Sequence, residues 1–105
     1  MIHYIESKQL ESEILASQKL VLVEFYMQDS KPCEIQSNIL REIEQEYRDE
    51  IEVFKININD SKDIQIRYQF SAVPTLLFFK DCQEIERKIG LIEKNVLLTL
   101  INDLK

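Results

Sequence analysis

The eight positions from Leu20 to Met27 are apolar except for Glu24. A run that continuous fits a strand covered on both faces better than a half-exposed one. Shorter runs on either side carry other periods. Ile2 to Ile5 reads as a brief strand. Ser7 is a fitting cap for a helix to about Ala16, with Leu10, Ile14 and Leu15 on one face. From Lys31 to about Asp49 the residues Ile35, Ile39, Leu40, Ile43 and Tyr47 recur at helical spacing among glutamates and arginines. A strand over Ile51 to Ile58 follows, then a short helix from about Ser61 to Tyr68 with Asp60 as its cap. Leu76 to Lys80 and Glu84 to Ile89 form a hairpin around Asp81-Cys82, its second strand alternating as an edge strand does. A last helix, about Glu93 to Leu104, presents Val96, Leu97, Leu100, Ile101 and Leu104, with a poor capping signal. The order β-α-β-α-β-α-β-β-α predicts an α/β fold, a mixed five-stranded sheet flanked by four helices.

Composition adds exclusions. The 105 residues suit one domain with a core of its own, and no linker, repeat or low-complexity tract divides them. Thirteen basic against nineteen acidic residues leave a formal charge of -6, which argues against nucleic acid and anionic membranes as partners. No segment reaches the roughly 18 uninterrupted apolar residues of a membrane span, and no apolar leader is recognisable, so a cytoplasmic location is expected. Two cysteines and one histidine do not complete a four-ligand zinc site without carboxylates. Neither a metal nor any other cofactor is expected.

Chemistry concentrates at Ser30-Lys31-Pro32-Cys33, where the apolar strand hands over to the long helix. A thiol in a first helical turn is favoured as the anion by unpaired N–H groups and the helix dipole. Burial beneath the loop and a nearby carboxylate oppose this, and a sluggish thiol is expected. Cys33 also fits as a small buried hydrophobe at a helix start. Ser30 suits an N-cap; as a nucleophile it lacks a base, because the only histidine, His3, lies in the first strand with no motif around it. Cys82 is eight residues beyond Pro74, roughly 25 Å along the hairpin strand, too far for a disulfide with Cys33. Glu24 inside a doubly covered strand must be protonated or paired, and Lys55 on the neighbouring strand is the available cation. A buried base and a structural ion pair both satisfy that demand.

These residues carry a resemblance. Val21-Leu22-Val23-Glu24-Phe25-Tyr26, Lys31-Pro32-Cys33, Ala72-Val73-Pro74-Thr75-Leu76 and Gly90 occur in the order and spacing of thioredoxins, and the chain resembles that family over essentially its whole length. The resemblance implies the thioredoxin fold, a cis peptide before Pro74, and a binding groove at Asp29, Lys31, Pro32, Val73, Pro74 and Gly90. It implies that Glu24 and Lys55 match a buried aspartate–lysine pair assisting proton transfer, and that Cys33 matches the resolving cysteine. Ser30 occupies the place of the attacking cysteine, Lys31 that of a glycine and Asp29 that of a tryptophan.

Two functions follow from the resemblance. One is a redox protein of thiol–disulfide exchange, with protein thiols or disulfides and a thioredoxin reductase as partners. Its dithiol turnover is then lost, whether Ser30 is native or a cysteine-to-serine substitution, leaving at most one mixed disulfide through Cys33. The other is a non-catalytic peptide-binding or co-chaperone module using the same groove. Glutathione-dependent monothiol chemistry fits poorly, because monothiol enzymes of this fold generally keep the first cysteine.

Overall fold

A computed structural model describes residues 2–60 and 62–105. The strands are β1 (Ile2–Tyr4), β2 (Leu20–Tyr26), β3 (Ile51–Asn57), β4 (Thr75–Lys80) and β5 (Gln83–Ile89). The helices are α1 (Ser7–Ala16), α2 (Lys31–Tyr47), α3 (Ile64–Tyr68) and α4 (Lys94–Leu104). The sheet order is β1-β3-β2-β4-β5. β3 pairs parallel with β1 and β2, whereas β4 runs antiparallel to β2 and β5. This is the mixed five-stranded sheet that the pattern predicts and the thioredoxin fold that the resemblance implies.

β2 is central, and six of its seven residues are buried. Alternation divides them between two cores. Val21, Val23 and Phe25 join Phe54, Leu77 and Phe79 beneath α1 and α3, where Phe25 stacks on Phe70 at 4.4 Å. Leu20 and Leu22 join Val53, Leu76 and Phe78 beneath α2 and α4, whose Leu40, Ile43, Leu97 and Ile101 complete that layer. Glu24 shares the parity of Leu20 and Leu22, so its carboxylate enters the layer under α2.

Several expectations change. The N-cap of α1 is Glu6, not Ser7, and a capping box with Gln9 closes it, the Glu6 N–H donating to Gln9 Oε1 at 2.8 Å. Leu15 and Val96 are 63% and 50% exposed. Each neighbours a buried residue (Ile14, Leu97) and is turned about 100° out of the apolar stripe. Asp60 does not cap α3. β3 ends at Asn57 and a 3-10 turn takes up Ile58–Asp60, so the helix starts at Ile64 with Asp63 as its cap. The expected start at Ser61 lies outside the described residues. In β5 a bulge shifts the register between Phe78 and Phe79, and Ile85 and Ile89 remain exposed on the edge strand.

The hairpin closes through Asp81 and Cys82, with φ of 52° and 68°, between paired Lys80 and Gln83. Positive φ at both central residues is the type I′ pattern, which prefers glycine at the second. Relieving a left-handed cysteine outweighs the added chain entropy of glycine. Cys82→Gly is therefore expected to raise unfolding stability by about 1 kcal/mol in urea denaturation. An unchanged or lowered midpoint contradicts the strain assigned to Cys82.

Candidate functional site

The parallel β2 and β3 both end beside the loop that leads to α2. Phe25 pairs with Thr75, so Pro74 adjoins the same end of β2; Val21 pairs with Phe79, so the Asp81–Cys82 turn lies at the opposite end. The Val73–Pro74 peptide bond is cis. Gly90, at φ 88°, donates its N–H to Pro74 O at 2.8 Å, bringing the loop after β5 to the same edge. One end of the sheet thus gathers Ser30, Cys33, Val73, Pro74 and Gly90.

Ser30 is the N-cap of α2. Its Oγ accepts from the Cys33 N–H at 3.4 Å, and Pro32 in the first turn has no N–H to satisfy. Cys33 is only 2% exposed. Lys31 and Pro32 are exposed, and so is Asp29, which takes a left-handed φ of 60°. Val73 is half-buried and Pro74 buried. Both cysteines are free, Cys33 buried and Cys82 exposed at the far end of the hairpin. His3 is exposed and packs its ring 5.4 Å from Phe54, a member of the core beneath α1 and α3.

Beneath Cys33 lies a buried polar cluster. Glu24 and Lys55 are register partners on β2 and β3, and Lys55 Nζ is 3.6 Å from Glu24 Oε1. Ser37, one turn beyond Cys33 on α2, sits between them. Its Oγ accepts from Lys55 Nζ and donates to Glu24 Oε1 at 3.3 Å. The ammonium also lies 4.4 Å from the Tyr26 ring and 5.1 Å from the Tyr4 ring, which meet edge to face. A cleft of about 280 Å³ reaches Lys55 and Ser37 from the surface beside Ser30 and Cys33.

Burial raises the Glu24 pKa to about 7, and attraction to Lys55 and the Ser37 and Lys55 hydrogen bonds offset only part of that rise. The ion pair and the perturbed carboxyl therefore coexist. Among the described residues, no group of histidine, cysteine, aspartate and glutamate is arranged to hold a metal, and no helix is long and apolar enough to cross a membrane.

Tyr4 on β1 escaped the sequence reading, as did Ser37 and the fully buried Gln36 beside it on α2. Their signal was positional. Cys33, Gln36, Ser37, Leu40, Ile43 and Glu44 form the buried stripe of α2, whereas the expected Ile35 is 37% exposed.

A mixed sheet that brings a thiol in the first turn of a helix and a cis-proline loop to one end defines a thioredoxin-like class of α/β proteins. Comparison with known proteins agrees. The thioredoxin family model matches residues 1–103. A thioredoxin of Rickettsia bellii is 32% identical over 103 residues, 98% of each chain. One of Acidithiobacillus ferridurans is 34% identical over 101 residues, 96% of this chain and 94% of its own. One of Rickettsia felis is 33% identical, covering 97% of both. The chain belongs to the thioredoxin family, redox proteins whose substrates are protein thiols and disulfides.

The raised Glu24 pKa fixes a pH dependence. Between the unfolded value near 4.5 and the folded value near 7, the native chain holds a proton that the unfolded chain has released. Stability therefore falls as pH rises through that window, by about 3 kcal/mol from this group. Glu24→Gln is expected to lose that slope in urea denaturation between pH 4.5 and 7.5. Parallel slopes in the two proteins contradict the assignment.

Proposed function

We propose that this protein is a thioredoxin-like domain in which Ser30 stands at the attacking-cysteine position, so that the chain as written does not cycle electrons in pairs. The observation that carries this reading is the separation of the two thiols. Cys33 is the one thiol at the end of the sheet shared with Pro74 and Gly90, and Cys82 is a full strand length away. A dithiol cycle needs two neighbouring sulfurs: one attacks a partner disulfide, and the second displaces the partner from the mixed disulfide. Here Ser30 supplies an oxygen that caps the helix and forms no disulfide. Cys33 then supports at most a single mixed disulfide with a protein partner, in the cytoplasm.

Glu24 is the group that exchanges a proton with Cys33, and Lys55 steadies the carboxylate. A pKa about 7 suits that task, because the carboxyl then both gives and takes a proton near neutral pH. Asp29, Lys31, Pro32, Val73, Pro74 and Gly90 form the surface on which a partner segment lies. No cofactor takes part.

With Ser30→Cys the two-sulfur cycle is complete. The introduced thiolate attacks a partner S–S bond, forming a mixed disulfide and releasing one partner thiolate. Cys33 then attacks the introduced sulfur, releases the second thiolate and leaves an internal disulfide, so two electrons have passed to the partner. A thioredoxin reductase would return them.

The fastening of Gly90 to Pro74 requires no thiol and favours a second reading, a peptide-binding or co-chaperone module using the same groove. Reduction of insulin disulfides with dithiothreitol as electron source separates the two. The chain as written is expected to show negligible turnover above background, and Ser30→Cys to raise it at least about a hundredfold. Equal activity in both contradicts the role given to Ser30. No gain on substitution favours the binding module.

A further inference from the structure

The inner face of α2 carries one uncharged amide that the chemistry above leaves unused. Gln36 is fully buried, one turn after Cys33 and one turn before Leu40. A buried amide is unfavourable unless both its polar ends are matched. Gln36 matches both on a single residue 56 positions away. Its Oε1 accepts from the Ile92 N–H at 2.8 Å, and its Nε2 donates to Ile92 O at 3.3 Å. Ile92 lies between β5 and α4, where the backbone has neither strand nor helix partners.

The same short segment has a second fastening, from the Gly90 N–H to Pro74 O. Two anchor points two residues apart hold it, one on the proline loop and one on α2. Leu91 stands between them and is 43% exposed. Gly90 keeps its left-handed φ with open space where a side chain would sit, so at that residue the hydrogen bond rather than packing holds the segment, while the Ile92 side chain packs on the core beneath α2 and α4 and the Gln36 clasp fixes its backbone.

We propose that Gln36 is a positioning residue: by clasping the Ile92 backbone it sets the Gly90–Ile92 wall of the partner groove at a fixed distance from Cys33 and Pro74. This deepens the reading of that groove as a docking surface for protein disulfides and rests on it. Through the clasp, Leu91 is held outward as an apolar contact for an extended partner segment. An apolar side chain in place of Gln36 would fill the same volume and keep the helix packed, but would leave the Ile92 N–H and C=O without these partners.

Two measurements test this. In the chain as written, Gln36→Met is expected to speed amide exchange at Ile92 at least about tenfold by NMR, while amides in β2 keep their protection. In the Ser30→Cys background, Gln36→Met is expected to raise KM for insulin about tenfold at nearly constant kcat, a loss of partner binding rather than of chemistry. Ile43→Val, which also weakens the α2 core, is expected to leave KM unchanged and so separates positioning from general destabilisation. Unchanged Ile92 exchange, or an unchanged KM despite faster exchange, overturns the role of Gln36. A background without turnover overturns the reductase reading instead, and the exchange measurement still decides the clasp.

Discussion

A carboxyl group in the middle of a doubly covered strand is the constraint around which this end of the molecule is built. β2 has no solvent face on which Glu24 could be placed, and an isolated buried carboxylate costs several kcal/mol. The interior answers with Lys55 from β3 and Ser37 from α2. Those partners fix the approach of α2 to the sheet within one turn of Cys33. Tyr4 and Tyr26 enclose the ammonium from the β1 side. Lys55 thus joins β1, β2, β3 and α2 at one point, and it is the point where the chain turns into Ser30.

Fold and chemistry are therefore not separable here. The apolar continuity that buries β2 also keeps Glu24 away from bulk water and pushes its pKa to about 7. The cap that starts α2 is Ser30, whose Oγ takes the Cys33 N–H. The antiparallel run of β4 brings Pro74 to the same end and carries Cys82 to the other. Sheet topology thus keeps the two thiols at opposite ends.

Much of this was legible in the chain. The unbroken apolar run announced a central strand, and the lone glutamate in it announced a buried charge with Lys55 as partner. Ser30 before Lys31-Pro32 marked a helix start, and Asp81-Cys82 between an apolar run and an alternating one marked a tight hairpin. What escaped notice was polar and interior. Hydrophobic periodicity follows apolar residues only, so it gave Ile35 to the buried face of α2 and passed over Gln36 and Ser37. Those two are buried because hydrogen-bond partners await them on Ile92, Glu24 and Lys55, and that matching exists only once distant segments meet. Leu15 and Val96 erred the other way. Each sits at the rim of an apolar stripe, where helix rotation rather than residue type decides exposure.

Near neutral pH Glu24 is a buried, partly protonated carboxyl beneath Cys33. The most direct measurement is a carbon-13 NMR titration of the Glu24 side-chain carboxyl in the intact chain. A midpoint near 7 is the result this account predicts. A midpoint near the ordinary glutamate value of about 4.3 would contradict it.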